Sequence, residues 1–257
     1  MIEKTGLRLG AVVGFLDETL DIGGYSGDSS INGLQVEGSS RIRKVSLAVD
    51  ACERSIRGAI RNGSELLITH HGLLWGQAEP ITGVMAHRMR LLLDKRVSLY
   101  SAHLPLDCHA DVGNNASLSK LLGIKKTHPF GDYHGIKIGL AGKLPRPISV
   151  RSLVSKLRRL LGAPIRTFAF GPGISRKIGI VSGGGAQFAL GAAAEGCDTL
   201  LTGETSHSAI HPARESGINL VCAGHYATET LGVKALGKLI AESLGLQTKF
   251  IDIPTGL

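Results

Sequence analysis

Apolar residues along the chain follow two patterns, one of helical spacing and one of short continuous runs. The helical spacing covers residues 9–20 and 150–161 and predicts amphipathic helices. Short apolar runs bounded by glycine or polar residues predict buried strands. The pattern predicts further helices at 52–61, 86–95, 117–122, 186–195 and 229–244, and strands at 44–49, 66–69, 97–102, 177–182, 199–202 and 218–223. This alternation indicates an α/β fold, with residues 23–38 as a polar, glycine-rich turn region.

The second half of the chain repeats the pattern of the first at an offset of 133 positions, the distance from Lys44 to Lys177. Residues 38–69 match 171–202 without a gap, and the matched positions share residue types, as in Gly63 with Gly196, Leu67 with Leu200 and Thr69 with Thr202. An internal repeat constrains the architecture before any other fold question. We therefore predict two duplicated α/β repeats, at residues 1–126 and 127–257.

Composition narrows the class of protein. The chain has 257 residues, 43% of them hydrophobic and 19% charged, as in ordinary globular proteins. Its four cysteines are dispersed, its start lacks a signal-peptide pattern, and no apolar run reaches membrane-spanning length, so a cytoplasmic protein is predicted. The net charge of +8 fits either a generic basic surface or attraction of phosphate-bearing ligands, and with only 4% aromatic residues nucleic-acid binding is not favoured.

Two adjacent histidines, His70 and His71, follow the apolar run 66–69. Side chains alternate faces along a strand, so both rings reach one point only if the backbone turns there, and we expect Gly72 to permit that turn. Two imidazoles at the end of a strand suit a divalent transition metal. The alternative is that one histidine packs in the core and the other is solvated.

The end of the third strand in each half carries a histidine followed four residues later by a carboxylate. These pairs are His103 with Asp107 and His225 with Glu229, and one helical turn places such residues on one face. Together with the adjacent histidines they give six nitrogen and oxygen ligands and no cysteine, which suits Zn, Fe, Mn, Co or Ni. Six ligands exceed the need of one ion, so two divalent metals per chain are predicted. His103 has a second interpretation, in which it orients a ligand or meets substrate.

Three further features have two interpretations each. The amides of Gly183, Gly184 and Gly185 follow a strand and can bind a substrate phosphate, or they form a tight turn. Glu204, which matches His71 at the repeat offset, is a candidate catalytic base or an orienting carboxylate. Asp50 ends the first strand and either approaches the site or caps the next helix.

Several blocks of this sequence resemble the signature motifs of the Nif-three-like family, also labelled GTP cyclohydrolase I type 2 homologues. They are Leu67-Ile68-Thr69-His70-His71-Gly72, Ala102-His103-Leu104-Pro105-Leu106-Asp107, Ala223-Gly224-His225-Tyr226-Ala227-Thr228-Glu229, Asn32-Gly33-Leu34-Gln35-Val36 and Thr202-Gly203-Glu204. The resemblance implies two intertwined α/β lobes with mixed sheets, a toroidal homohexamer, and dinuclear metal sites. It implies the metal ligands His70, His71, Asp107, His225 and Glu229, with Glu229 as the bridge. The middle domain of longer relatives is absent here.

Two functions of different class follow from these features. The first is a dinuclear, divalent-metal-dependent hydrolase for a phosphate-bearing or nucleotide-like small molecule, with His103 or Glu204 moving the proton. The family label suggests a GTP cyclohydrolase-like reaction. The second is a non-catalytic metal-binding or regulatory ring assembly, which a ligand set without an open position would favour.

Overall fold

The computed structural model describes residues 6–77 and 79–257. The described helices are α1 Leu9–Leu20, α2 Glu53–Arg61, α3 Gly83–Asp94, α4 Leu104–Cys108, α5 Asn114–Leu122, α6 Val150–Leu161, α7 Ala189–Ala194, α8 His207–Glu215 and α9 His225–Leu244. The strands are β1 Leu7–Arg8, β2 Gly33–Val36, β3 Arg41–Ile42, β4 Lys44–Asp50, β5 Leu66–His71, β6 Ser98–Ser101, β7 Thr127–Tyr133, β8 Ile136–Ser149, β9 Arg166–Phe168, β10 Ile174–Val181, β11 Thr199–Thr202, β12 Asn219–Cys222 and β13 Gln247–Phe250.

The structure confirms the α/β fold class and most of the predicted elements. Helices α1 and α6 and strand β11 have the predicted bounds, and α5 ends as expected because Gly123 adopts a left-handed conformation, φ 80°. The region 23–38 was wrongly predicted to be turn throughout, since it contains β2. This short strand pairs antiparallel with β6, a long-range pairing that its local glycine-rich sequence does not reveal.

Contacts divide the chain into two compact units. Unit 1 comprises Met1–Leu106 and Gly232–Ile253, and unit 2 comprises Asp107–Leu231 and Pro254–Leu257. The sheet of unit 1 has the order β13-β4-β5-β6-β2 and that of unit 2 the order β7-β8-β10-β11-β12-β9. Each sheet is mixed, with three central parallel strands next to an antiparallel edge strand, β2 or β9.

Equivalent hydrogen bonds occur within each unit, at positions separated by the offset of 133 residues. In unit 1 the Glu65 carboxylate accepts from the backbone N–H of Arg43 at 3.1 Å and of Lys44 at 2.9 Å. In unit 2 Asp198 accepts from the two residues 133 positions further on, at 2.8 and 3.3 Å. This contact between two neighbouring parallel strands thus recurs at the offset of 133 positions.

Each unit has its own apolar core, which includes buried side chains of its sheet. In unit 1, Leu66, Leu67 and Ile68 of β5 are fully buried, and burial of each such side chain contributes about 1.5–3 kcal/mol. Strand β5 is therefore a rigid support for the histidines at its end. Among the described residues, no helix combines the length and the apolar character that a membrane crossing needs.

Candidate metal-binding groups

Three histidines of unit 1 form one candidate group. Each of His70, His71 and His103 offers a ring nitrogen within 4.8 Å of those of the other two. The ring centroids of His70 and His71 are 4.6 Å apart, and those of His70 and His103 are 5.2 Å apart. The first two residues end β5 and the third follows the neighbouring parallel strand β6. The group thus lies at the carboxyl edge of the sheet, where α/β proteins bind ligands.

The backbone at His70 and His71 is extended, whereas the sequence predicted a turn there. Strand β5 continues through both histidines, because His71 pairs with Asp50 of β4. The expected turn at Gly72 is therefore wrong. Gly72 is needed for space instead, since a Cβ atom there would collide with the amide of Gln35. That amide oxygen accepts the Leu73 N–H at 2.7 Å and fixes the chain after the histidines.

A protein oxygen holds the Nδ1 atom of each of these rings. His70 Nδ1 lies 2.9 Å from the Ala102 carbonyl, and His71 Nδ1 lies 2.8 Å from a carboxylate oxygen of Asp50. Carbonyl and carboxylate oxygens only accept hydrogen bonds, so each Nδ1 carries the hydrogen. A neutral ring protonated at Nδ1 has its lone pair at Nε2, which is the state a metal ligand requires.

Asp28 performs the same role for His103 and is a residue that the sequence prediction missed. Its carboxylate lies 2.8 Å from His103 Nδ1 and also accepts the backbone N–H of Leu104 and the side-chain amide of Asn32. Burial raises its pKa, but the hydrogen bonds and charge of His103 and the bonds from Asn32 and Ser30 outweigh burial and lower the pKa to about 2. Asp28 is therefore an anion at neutral pH. Its position just before the Asn32 motif was the only available signal.

Asp50, which the sequence placed either near the site or as a helix cap, approaches the histidine group. Its side chain contacts His71, while the capping contacts of α2 involve Cys52 and Ser55. The Trp75 ring stands edge-on to His103, with 5.1 Å between the centroids. The Trp75 Nε1 donates to the Gly72 carbonyl at 3.1 Å, which holds the indole as a wall beside the histidines.

Unit 2 brings three of the predicted ligands around the turn after β10. Asp107 is buried and accepts hydrogen bonds from Ser182 Oγ at 2.8 Å and from Asn114 at 2.9 Å. On the next residue, Gly183, a Cβ atom would collide with a carboxylate oxygen of Glu229 and come within 3.2 Å of His225 Nε2. The Ser182–Gly183 turn therefore lies next to both Asp107 and the His225–Glu229 pair.

The His225–Glu229 pair has the spacing predicted for it. Helix α9 begins at His225, four residues before its predicted start, and this first turn places His225 Nε2 3.1 Å from Glu229 Oε1. His225 Nδ1 lies 2.8 Å from Glu204 Oε1. Burial lowers the pKa of His225, but hydrogen bonds and charges of Glu229 and Glu204 outweigh it and raise the pKa to about 9. The metal-free chain thus holds an imidazolium between two carboxylates.

The raised pKa predicts how the metal-free protein responds to pH. The pKa of His225 is about 9 in the folded chain and 6.5 ordinarily. Protonated His225 therefore stabilises the fold fully at pH values below 6.5, and this contribution is lost as the pH rises through 9. We expect Glu229→Gln to be less stable than wild type by on the order of 2 kcal/mol near pH 6, after solvent screening, with the difference shrinking toward pH 9. Urea unfolding of chelator-treated protein measures this, and a pH-independent difference would contradict it.

The three glycines predicted to bind phosphate have specific neighbours. The Gly183 N–H donates to Thr228 Oγ1 at 3.1 Å and the Gly185 N–H to Thr202 Oγ1 at 2.9 Å. Within 6–77 and 79–257, the Gly184 N–H is the one amide of the three without a protein acceptor. These bonds stabilise a tight turn and leave Gly184 as the backbone donor available to a ligand.

Comparisons with known proteins agree over nearly the whole chain. The sequence profile of the family described as Duf34/NIF3 (NGG1p interacting factor 3) matches residues 7–255. A protein of Pyrococcus abyssi named GTP cyclohydrolase 1 type 2 homolog is 44% identical over 96% of this chain and 98% of its own length.

Solved structures give the same result. The protein TTHA1606 from Thermus thermophilus has a TM-score of 0.88 and 38% identity, covering 98% of this chain and 100% of its own. The protein ybgI, described as of unknown function, has a TM-score of 0.91 and 35% identity at the same coverage. The sequence profile, the identity and the fold thus agree, and the chain belongs to the DUF34/NIF3 family.

Proposed function

We propose that the protein is a divalent-metal-dependent hydrolase acting on a phosphate-bearing or nucleotide-like small molecule. The observation that carries this proposal is the pair His70 and His71, each with its Nδ1 held by a protein oxygen, with the ring of His103 next to both. Carboxylate and carbonyl partners of this kind orient imidazole rings as metal ligands in metalloenzymes. The name of the Pyrococcus relative supports a GTP cyclohydrolase-like reaction as a specific candidate.

We further propose that two divalent transition-metal ions bind to His70, His71, Asp107, His225 and Glu229. The donors are nitrogen and oxygen, without cysteine, which fits Zn, Fe, Mn, Co or Ni. Gly183 supports the fit, because a larger residue there would occupy the space beside the Glu229 carboxylate. When bound, such ions supply Lewis acidity to the scissile centre and activate water for attack.

The protein side chains divide the remaining tasks. His103 stands beside Trp75, its side chain is partly exposed, and its Nδ1 is hydrogen-bonded to Asp28, so we assign it the task of carrying a proton to or from a substrate. Glu204 bonds to His225 Nδ1 and acts through that ring as a positioning residue. The Gly184 N–H is a donor for a substrate phosphate, with Gly183 and Gly185 shaping the turn.

Turnover by metal-loaded protein tests the proposal. Chelator-treated protein reloaded with each of the five metals should hydrolyse at least one member of a panel of nucleoside triphosphates and phosphoesters, and should lose that activity when the chelator is restored. Asp50→Asn and Glu242→Gln serve as site and surface controls. Protein that holds its full complement of metal without turning over any substrate would favour the non-catalytic assembly.

Asp50→Asn has an expected effect on metal affinity rather than on the fold. An asparagine can still contact His71 Nδ1 but lacks the negative charge beside the ring, so metal affinity should fall by about 10–100-fold. Titration of metal into chelator-treated protein measures the change. Asp94→Asn, at the exposed end of α3, is the matched control and should bind as wild type does. If wild type and both variants bind metal with equal affinity, Asp50 does not support the metal site.

Assembly and location remain proposals drawn from the family resemblance. We propose a toroidal homohexamer in the cytoplasm. Light scattering coupled to gel filtration should then give about six times the chain mass of 27.0 kDa. A monomer or dimer at micromolar concentration would contradict the hexamer.

A further inference from the structure

A cavity in unit 2 is lined by lysines and lies away from the predicted metal ligands. Its volume is about 470 Å³, within the range of small-molecule sites, about 300–1,000 Å³. Its charged lining residues are Lys125, Lys126, Lys143, Lys177 and His128. Lys177 lies near the start of β10, whereas Ser182 and Gly183 follow the end of that strand. At ~3.3 Å per residue, about 17 Å separates the two places.

The lysines face one another across neighbouring strands. Lys143 of β8 is directly opposite Lys177 of β10 in the antiparallel register. On the other side of β8, Thr127 of β7 pairs with Gly142, so Lys126, one residue earlier, continues the row. Like charges directly opposite each other destabilise a sheet. Strands are ~4.8 Å apart, so the row presents positive charge over roughly 10 Å.

Among the described residues, Glu195 is the carboxylate that pairs with charged side chains of this lining, and Asp198 accepts the backbone N–H of Lys177. Glu195 Oε2 lies 2.9 Å from His128 Nε2 and 4.0 Å from Lys177 Nζ. In the described part of the chain, neither Lys125, Lys126 nor Lys143 forms an ion pair. The Asp107–Leu231 segment carries 14 lysine and arginine residues against 8 aspartate and glutamate residues. The formal charge of this segment is therefore positive, as is that of the cavity lining.

We propose that this cavity binds a small oligophosphate, such as the polyphosphate group of a nucleotide, at a site separate from the predicted metal ligands. Several adjacent anionic groups match a row of lysines better than one carboxylate or one phosphate does. A ligand with that charge removes the repulsion between Lys143 and Lys177 and gains charge-assisted hydrogen bonds. Nucleic acid is a poorer match, because the lining has no aromatic residue other than His128 for bases to stack on.

The test uses inorganic tripolyphosphate and metal-free protein, so that binding to metal cannot contribute. Isothermal titration of the full chain should show saturable binding at one site per chain, weakening as salt is added. The variant Lys125→Gln/Lys126→Gln/Lys143→Gln should bind at least about tenfold more weakly, because three charges near the anion are lost. These three lysines are exposed, so the substitutions are compatible with the fold.

A matched variant and a variant of opposite sign complete the experiment. Lys95→Gln/Lys120→Gln/Lys137→Gln removes the same number of exposed charges outside the cavity and should bind within about twofold of wild type. Glu195→Gln removes the opposing carboxylate and should tighten binding. The proposal is overturned if wild type shows no saturable binding or if both triple variants weaken equally. It is also overturned if a single-stranded oligonucleotide binds more tightly than tripolyphosphate and the triple variant of the cavity lysines no longer binds the oligonucleotide.

Because metal is absent from this titration, the outcome is independent of hydrolytic activity. Failure of the turnover experiment leaves the oligophosphate site standing, and failure of the titration leaves the hydrolase proposal standing. The two proposals are therefore distinguishable by separate measurements.

Discussion

Glu229→Gln should abolish metal binding and any hydrolytic turnover while the fold is kept. Glu229 is 3% exposed and lies in the first turn of α9, where its carboxylate contacts His225. If it bridges two cations, one negative charge sits where two positive charges repel most strongly. Glutamine is nearly isosteric but neutral, so it preserves packing and removes that charge. Metal content should fall from about two ions per chain to near zero. The loss of metal affinity should exceed the roughly 10–100-fold expected for a residue that contacts a metal ligand rather than the metal.

Elemental analysis of purified protein, reloaded with metal and freed of excess, measures this directly. Glu242→Gln is the matched control, because it makes the same chemical change on the exposed end of the same helix; it should keep the wild-type metal content. His103→Ala separates the roles further and should keep both metals while losing rate. If Glu229→Gln keeps one full equivalent and His103→Ala loses one, the roles assigned to these two residues are wrong.

Gly183→Ala should be the second variant with a large effect. Gly183 has φ +59°, a conformation that costs a residue with a Cβ atom about 1–2 kcal/mol. Its added methyl would also collide with the Glu229 carboxylate and approach His225 Nε2 at 3.2 Å. The carboxylate must then move out of position, so we expect metal affinity to fall at least about 100-fold and turnover to be lost.

Gly196→Ala isolates the backbone cost from the effect on the site. Gly196 has φ +71°, yet nothing lies within 4 Å of the position its Cβ would take. Gly196→Ala should therefore lose only the backbone cost, about 1–2 kcal/mol in urea unfolding, and keep its metal, whereas Gly183→Ala should lose at least that much stability and lose metal as well. If the two variants bind metal equally well, the Ser182–Gly183 turn does not shape the predicted ligand set.

Local sequence was sufficient where the signal lay within one element. Helices α1 and α6 were predicted with their observed bounds, because apolar residues repeat at helical spacing over their whole length. The His225–Glu229 pair also needed only one helical turn. The repeat at 133 positions was visible for the same reason, since equivalent strands and turns have equivalent sequences.

Elements that depend on distant partners were not predictable in this way. Strand β13 pairs with β4, about 200 residues earlier, and its sequence gives no sign of that partner. The hairpin of β7 and β8 and edge strand β9 are likewise set by sheet order. The extension of β5 through His71 required the pairing with Asp50 on the neighbouring strand, which a single run of residues does not contain.

The same division applies to the site. Residue type and short spacing were enough to predict the fold class, the repeat, and which histidines and carboxylates are candidate ligands. Only the tertiary structure showed that Asp28, Asp50 and Glu204 each hold an imidazole Nδ1. These partners are 75, 21 and 21 residues from their histidines. The order of strands in each sheet brings them together, and periodicity along the chain carries no information about that order.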